Sequence, residues 1–561
     1  MAPMDPHSPR RLAALALALL GAIGAANATA AAQAPRFEIE FAPTLQHEPV
    51  TGRLVLIVAK ESQAEPRYAV SPSGPALFGI DVEEFGPGEV AVVDHKTIRY
   101  PMPLRELPAG DYSVQAVVNV YTQVKRADGH LLWLPMNDGR QATAFVAAGN
   151  LVSEPQRVHV DAAGGGEPVA LLLTRLLPPL ERPADTEWVQ RVTLPSRKLS
   201  EFWGRPVFVH ATVLLPRNFS IEGDRHYPCI YALGHEVPFS FTTDLVRAGE
   251  RGVFHLTTGL ESGYDFFQAW RGDDFPRVVA ISFEQQTPYF PDGYSVNSAS
   301  NGPYGDAIVE EVIPELERRF RLIAAPHARQ LEGASTGGWS ALALQLQHPD
   351  FFGGAWVLQP DPIDFRRYQL VDLYEDANAF EVALGPFGKT ERPFRRSVEG
   401  QQIWSVRQLS LFEEVLGTRG RSGWQLAGWE AVFAPLDADG YPRPLWDRRT
   451  GAIDKEVVRS MRESGYDLAD FTRRNWKTLG PKLAGKLHLF AGDMDDFFLN
   501  LAVYRFEEQL KGARDPLSDA EFTYGRPKKG HSWHATPWSA FVRRVAAAVE
   551  RAAPRAPEAG K

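Results

Sequence analysis

The sequence contains a single cysteine, Cys229, among its 561 residues. One cysteine excludes an intramolecular disulfide, a zinc site built from cysteines and a CxxC redox pair. Beyond residue 34 the chain also lacks an apolar run of about 18 residues, the length that indicates a membrane-spanning helix. We therefore expect no stable insertion of the folded chain into a membrane.

The chain also has fewer basic than acidic side chains. Lysine and arginine number 60 against 69 aspartates and glutamates, which gives a formal charge of -9. Proteins that bind nucleic acids usually carry the opposite excess, because they must neutralise phosphates. We therefore expect no nucleic-acid partner. The chain also lacks a P-loop and an HExxH pair, so the sequence predicts neither a cofactor nor a metal site.

The first 34 residues have the pattern of an export signal. Arg10 and Arg11 precede the uncharged apolar stretch 12–23, and small residues follow as far as Ala34. This order is typical of a cleaved signal peptide. The sequence therefore predicts a signal peptide at 1–34 and an exported protein, periplasmic or extracellular. An uncleaved N-terminal anchor is the alternative.

The remaining chain changes character once. Residues 35–165 contain short β-prone runs separated by turn residues, a pattern typical of an immunoglobulin-like β-sandwich. Glycines and prolines then mark 166–187 as a linker. Over 188–553, apolar strand patterns alternate with amphipathic helices, which predicts an α/β fold with a mainly parallel sheet covered on both faces. Residues of about 362–482 break this alternation and indicate a long insertion over one end of the sheet.

The strand patterns of the α/β region can be placed individually. We expect strands at 207–214, 228–233, 278–283, 329–332, 354–358, 487–491 and 521–525.

A nucleophile motif lies near the middle of the chain. The predicted strand Arg329–Glu332 is followed by Gly333-Ala-Ser-Thr-Gly337 and then by a helical pattern. G-x-S-x-G between a strand and a helix is typical of a sharp turn that exposes the serine hydroxyl, and the glycines allow the close approach. Ser335 is therefore the candidate nucleophile. The alternative is an ordinary glycine-rich turn.

Ser335 needs a base, and the base needs a carboxylate. His531 lies between the last predicted strand and the last predicted helix and is the candidate base, with His534 as its competitor. The candidate acid is Asp495, with Asp493 and Asp496 as alternatives. We expect the two unused carboxylates to cap the helix that follows. The order Ser, Asp, His along the chain is that of α/β-hydrolases.

A developing oxyanion needs two fixed N–H donors. The first candidate is the backbone N–H of Thr336, the residue after the nucleophile. The second donor is expected from the loop after the strand at 228–233, where His235 and Glu236 are the candidates.

Four segments resemble the secreted esterase family of α/β-hydrolases: Tyr227-Pro-Cys-Ile-Tyr-Ala-Leu-Gly234, Gly333-Ala-Ser-Thr-Gly-Gly-Trp339, Gly492-Asp-Met-Asp495 and Gly530-His-Ser-Trp533. This family includes enterochelin esterases, S-formylglutathione hydrolases, feruloyl esterases and mycolyltransferases. The resemblance spans about 207–549 and implies Ser335 as nucleophile, Asp495 as acid and His531 as base.

The chain departs from the family at two places. The family often has His-Gly after the tyrosine-containing strand, whereas this chain has Gly234-His235, which leaves the second oxyanion donor open between His235 and Glu236. The insertion at 362–482 is also longer than in the small esterases, so their substrates do not carry over.

The sequence favours an exported serine hydrolase that cleaves carboxylic esters through an acyl-enzyme. Its substrate would be a small-molecule or carbohydrate-linked ester. One alternative is a peptidase similar to prolyl oligopeptidases, whose N-terminal propeller needs a longer segment than this chain has. The other is a non-catalytic protein that binds a carbohydrate or a partner and retains a vestigial triad.

Overall fold

The computed structural model describes residues 35–45, 47–60, 64–136, 145–161, 167–181, 183–221, 223–234, 260–284 and 287–554. The predicted signal peptide and the predicted oxyanion residues His235 and Glu236 lie outside these ranges. Among the described residues, no helix combines the length and the apolar character that crossing a bilayer requires.

Ten strands build the β region, the N-terminal part of the molecule from Phe37 to Leu176. They are β1 Phe37–Phe41, β2 Val50–Lys60, β3 Ala76–Phe85, β4 Ala91–Val93, β5 Ile98–Tyr100, β6 Gly110–Lys125, β7 Leu131–Pro135, β8 Leu151–Ser153, β9 Gln156–Val160 and β10 Val169–Leu176. Hydrogen bonds join them in the order β4-β1-β10-β8-β6-β2-β3-β5, and β7 and β9 also pair with β6. All described pairings are antiparallel except that of β1 with β10.

The strand pairing bears on two expectations for this region. The strands form one hydrogen-bonded sheet, whereas an immunoglobulin-like sandwich consists of two, so that assignment is not confirmed. The predicted linker is wrong for residues 169–176, because β10 lies within it and pairs with β1 and β8. Leu171 and Leu173 of β10 are buried in the core of the β region, which fixes this segment in the sheet.

Strand β2 is buried on both faces. Leu54 and Leu56 lie in the core of the β region, while Val55 and Ile57 belong to the core of the C-terminal region. Alternating side chains of a strand point to opposite faces of its sheet. The face of β2 that carries Val55 and Ile57 therefore packs the β region against the C-terminal region. The buried Arg53 strengthens this junction, since it donates hydrogen bonds to the backbone oxygens of Glu414 and Val415.

An eight-stranded sheet forms the centre of the C-terminal region. Its strands are β11 Val189–Ser196, β12 Val207–Leu214, β13 Cys229–Leu233, β14 Val279–Glu284, β17 Arg329–Ala334, β18 Gly354–Leu358, β23 Leu487–Gly492 and β24 Glu521–Gly525. The spatial order is β11-β12-β14-β13-β17-β18-β23-β24. The six strands from β14 to β24 run parallel, and β11 and β12 are antiparallel to their neighbours. The predicted mainly parallel sheet is present.

Helices cover both faces of this sheet. The helices of the described C-terminal region are α1 Arg197–Trp203, α2 Gly263–Trp270, α3 Tyr304–Ala307, α4 Ile313–Phe320, α5 Thr336–Gln347, α6 Val406–Leu416, α7 Gln425–Phe433, α8 Lys455–Glu463, α9 Leu468–Leu479, α10 Asn500–Gly512 and α11 Trp538–Ala552. Residues Ile308–Val312 form a π-helical turn between α3 and α4. Helix α5 contributes to the core on one face, and α2 and α11 pack together on the other, so the α/β architecture is confirmed.

The insertion lies between β18 and β23. It contains helices α6 to α9 and two small hairpins, β19 Glu381–Ala383 with β20 Lys389–Glu391 and β21 Pro393–Arg396 with β22 Gln402–Ser405. A further two-stranded pair, β15 Asn297–Ser298 with β16 Gly302–Pro303, precedes α3. Because β18 and β23 are parallel neighbours, the insertion leaves the sheet at its carboxyl edge, where it can form a wall over that end.

Candidate active site

Ser335 occupies a strained turn between β17 and α5. Its φ of 56° and ψ of -120° lie outside the regions that serine normally adopts. A Cβ on Gly337 would lie 2.6 Å from the carbonyl carbon of Leu233, and one on Gly333 would lie 2.8 Å from the Cα of Gly337. Both positions therefore require glycine. The turn places Ser335 in the wall of a cavity.

Four neighbouring parallel strands deliver four polar side chains to one edge of the sheet. Ser335 follows β17, Asp361 follows β18, Asp495 follows β23 and His531 follows β24. These strands are consecutive in the sheet and run in the same direction. Their carboxyl ends therefore meet at the edge where open α/β sheets gather ligand-binding and catalytic groups.

Asp495 and His531 form a buried pair. The Nδ1 of His531 lies 2.7 Å from Oδ2 of Asp495, whose side chain is fully buried. The other carboxylate oxygen accepts the backbone N–H groups of Phe497 and Leu499, at 2.9 and 3.1 Å, so the carboxylate cannot turn away from the ring. A proton on Nδ1, shared with the carboxylate, leaves Nε2 of His531 as a proton acceptor.

The environment of His531 also sets its charge. Burial of the ring opposes protonation, but the charge of Asp495 and its hydrogen bond outweigh burial, and Asp361 and Asp496 add to the effect. The pKa of His531 is therefore raised above its ordinary value of 6.5.

The acidic loop, residues 493–496 after β23, carries two further carboxylates, and both accept backbone N–H groups. Asp493 accepts the N–H of Lys529, and Asp496 accepts the N–H of His531, both at 3.0 Å. The expectation that they cap the next helix is wrong, since no side chain caps the N-terminus of α10. Both instead tie the acidic loop to the loop that carries His531.

His534, the competitor for the role of base, is a packed side chain. Its ring lies against those of Trp538 and Phe541, with centroid distances of 4.5 and 5.4 Å, and it hydrogen-bonds the backbone oxygen of Thr536. Burial lowers the pKa of His534 to about 4. It pairs with no carboxylate among the described residues, in contrast to His531.

Asp361 was not among the residues predicted from sequence. The residue is 3% exposed, and its Oδ1 accepts a hydrogen bond of 3.2 Å from the Ser335 hydroxyl. The available signal was its place just after a buried strand at the carboxyl edge of the sheet. No local motif marks that position.

Of the predicted oxyanion donors, Thr336 lies within the described residues. Thr336 is the first residue of α5, and its buried hydroxyl donates to Asp361 Oδ2 at 3.1 Å. A backbone N–H at the start of a helix points toward the helix N-terminus, where it can bind an anion. Gly234, the last described residue before His235 and Glu236, lies beside the turn, because a Cβ on it would be 3.3 Å from the Cα of Gly337.

A cavity of about 400 Å³ opens at Ser335. Besides the serine turn, four parts of the chain line it: the β region, the segment after β14, the stretch between β18 and β23 that contains the insertion, and the loop after β23. From the β region come Asn119, Met136 and Ala147. Eight aromatic residues contribute to the wall, and their rings include those of Tyr289, Phe394, Trp404, Trp424, Trp429 and Phe497.

The sheet, the helices on both of its faces and the strained serine turn define an α/β-hydrolase type of architecture. Within that class, residues 208–383 match the model of the "Putative esterase" family, which confirms the family resemblance seen in the motifs. The family match supports ester hydrolysis as the general activity. No curated protein sequence matches the chain.

Several solved structures are similar to this one. A ferulic acid esterase aligns with a TM-score of 0.36 and 15% identity over 64% of this chain and 97% of its own. A fluorophosphonate-binding serine hydrolase of Staphylococcus aureus has a TM-score of 0.32 and 15% identity over 64% and 98%. An S-formylglutathione hydrolase from Agrobacterium tumefaciens has a TM-score of 0.32 and 12% identity over 65% and 97%.

Proposed function

We propose that the protein is an exported serine esterase in which Ser335 is the nucleophile, His531 the base and Asp495 the acid. The observation that supports this most directly is the delivery of these three side chains by parallel strands to one edge of the sheet, beside a cavity. Export rests on the signal-like pattern of residues 1–34.

The proposed reaction has two halves. Ser335 Oγ attacks the ester carbonyl carbon while its proton passes to Nε2 of His531, and Asp495 stabilises the imidazolium that forms. The N–H of Thr336 donates to the oxyanion. The alcohol leaves with the proton from His531, and a water molecule then releases the acid by the same steps. The Ser335 hydroxyl, which donates to Asp361 in the structure, must turn toward His531 before it reacts.

A different observation argues against each of the two alternative functions. A prolyl-oligopeptidase-like enzyme would need an N-terminal propeller, but the described N-terminal strands form one ten-stranded sheet. A non-catalytic binding protein would not need a strained serine at the same sheet edge as a carboxylate-bound histidine, because that strain costs stability.

Labelling with a fluorophosphonate tests the assignment of the nucleophile. We expect one adduct, located by mass spectrometry on Ser335, and no adduct in Ser335→Ala. Ser340→Ala is the matched control, since Ser340 is buried in the next turn of α5 and donates to the backbone oxygen of Thr336. That variant should still be labelled. Folded, unlabelled wild-type protein that also fails to hydrolyse p-nitrophenyl acetate would favour the binding protein.

The pH dependence of kcat/KM follows from the environment of His531. The imidazole must be neutral to accept the Ser335 proton, so activity falls as the pH falls through its pKa. Because that pKa is raised, we expect the midpoint of the acidic limb above 6.5. A pH–rate profile with a neutral ester measures this midpoint. A midpoint below the ordinary histidine value would contradict the electrostatics described for the site.

A further inference from the structure

The carboxylate of Asp361 lies unusually close to the proposed nucleophile. Its Oδ1 is 3.2 Å from Ser335 Oγ, and the residue is held against the serine turn because its own N–H donates to the backbone oxygen of Ser335 at 3.0 Å. The position is therefore fixed by both backbone and side chain.

Four donors fix the other carboxylate oxygen. Oδ2 accepts from the hydroxyls of Tyr294 and Thr336, at 2.6 and 3.1 Å, and from Gln425 Nε2 and Trp429 Nε1, both at 3.1 Å. Every one of these groups donates, so Asp361 acts throughout as an acceptor, the role of an ionised carboxylate. Within the described part of the chain, the hydrogen bond to Oδ1 comes from Ser335, the residue that a substrate would approach.

This charge has a consequence for ester hydrolysis. When Ser335 attacks a neutral ester, negative charge develops on the carbonyl oxygen, and a nearby carboxylate opposes it. A positive group on the substrate close to the carbonyl would reverse that effect, because it would meet Asp361 at short range. A buried carboxylate beside the nucleophile is thus better suited to a cationic substrate than to a neutral one.

We propose that Asp361 is a specificity residue that binds a protonated amine on the carbon next to the ester carbonyl, so that the preferred substrates are α-aminoacyl esters. This inference rests on the proposed esterase function. The amine nitrogen of such an ester is two bonds from the carbon that Ser335 attacks. With Oδ1 3.2 Å from Ser335 Oγ, the nitrogen can bind Oδ1 while the carbonyl carbon lies next to Oγ.

The charges around the cavity agree with a cationic group. Asp292 also lines it, and burial together with the charge of Asp361 raises the pKa of Asp292 well above its usual range, which favours the neutral form of Asp292. Arg421 is the basic side chain among the lining residues of the described chain. Its guanidinium donates to backbone oxygens of Trp133 and Thr418 and stacks 4.5 Å from the ring centre of Tyr121, so it is already engaged at the β region.

The aromatic wall suggests the nature of the rest of the acyl group. Trp404, Trp424 and Phe394 lie on the cavity side of the insertion, and such surfaces favour apolar or aromatic side chains. An α-aminoacyl ester with an aromatic side chain would place its amine on Asp361 and its ring among these residues. Hydrolysis would yield the free amino acid and the alcohol, with one water molecule consumed.

A pair of esters of nearly equal shape tests the proposal. L-Phenylalanine methyl ester carries the ammonium group, and methyl 2-methyl-3-phenylpropanoate has a methyl group in its place. At a pH where the amine is protonated, we expect wild-type kcat/KM to be at least about tenfold higher for the ammonium ester. In Asp361→Asn the ratio should fall to about one, because the ammonium ester loses rate while the neutral ester gains. A structural defect would lower both rates and leave their ratio unchanged.

A matched variant separates loss of this charge from general damage. Asp467→Asn also alters a buried aspartate, which accepts from the Tyr374 hydroxyl and the N–H of Phe365, but it lies outside the cavity lining. It should keep the wild-type ratio. A wild-type ratio of one or less, or an Asp361→Asn ratio equal to that of wild type, would overturn the proposal.

Binding without turnover distinguishes failure of this inference from failure of the proposed function. In Ser335→Ala, calorimetry should show that L-phenylalanine methyl ester binds at least about tenfold more tightly than the neutral ester. If wild-type protein hydrolyses neither ester, the esterase proposal fails. The comparison of binding to Ser335→Ala still tests whether Asp361 forms an amine-binding subsite. If Asp361→Asn does not fold, the same comparison decides it. Equal binding of the two esters to Ser335→Ala would overturn the inference.

Discussion

Asp495→Asn is expected to lower kcat by about 10⁴-fold near neutral pH without unfolding the protein. An amide in place of Oδ2 would donate a hydrogen bond to Nδ1 of His531, which now lies 2.7 Å from a carboxylate oxygen. The ring would then carry its proton on Nε2 and could not accept one from Ser335. Steady-state hydrolysis of p-nitrophenyl acetate measures the loss, and circular dichroism checks the fold.

Asp493→Asn is the control for this prediction. Asp493 lies two residues away in the same loop, and its Oδ1 accepts the N–H of Lys529, which an asparagine carbonyl oxygen can also accept. We expect kcat within a fewfold of wild type. Similar large losses in both variants would mean that the loop as a whole is required, and an active Asp495→Asn would remove Asp495 from the proposed mechanism.

The sheet of the C-terminal region could be predicted because its central strands are buried on both faces. Every residue of β13, β18 and β23 is buried, so these segments are apolar runs in the sequence, interrupted only by His488 in β23. Strand β11 was not predicted. It lies at the sheet edge and mixes buried and exposed positions, and Pro195 interrupts its pattern, which is tolerated at an edge.

The β region was harder to predict because both faces of its central strands are covered. Sequence alone does not show that the outer face of β2 packs against the C-terminal region, more than 300 residues further along the chain. Strand β10 was missed for a different reason. The glycines before it and the prolines after it indicate a linker, and two of its leucines, Leu172 and Leu176, are exposed.

In the candidate site, too, residues in local sequence motifs could be predicted, and a residue brought in by tertiary packing could not. Ser335, Asp495 and His531 stand in short local motifs at strand ends, so their types and order could be predicted. Asp361 has no such motif. Its donors come from a loop after β14, from the serine turn and from the insertion, and only tertiary packing brings them to one carboxylate. The substrate preference proposed here depends on these contacts.

Gly337→Ala is expected to disrupt the serine turn. The added Cβ would lie 2.6 Å from the carbonyl carbon of Leu233, and because this neighbour is backbone rather than a flexible side chain, strand β13 or helix α5 must move. Displacements of about 1 Å can cost roughly 10²-fold in rate, and overpacking a buried site destabilises by about 1–3 kcal/mol. We therefore expect kcat/KM to fall by at least about 10²-fold, with a lower Tm by calorimetry.

Gly512→Ala provides the matched control for that substitution. Gly512 ends helix α10, has no positive φ, and would place its new Cβ in open space. Alanine is favoured over glycine in helices by about 1 kcal/mol, so the variant should keep wild-type activity and an equal or slightly higher Tm. A Gly337→Ala protein that matched Gly512→Ala in both measurements would show that the close approach of α5 to β13 is not needed to hold Ser335 in its strained conformation.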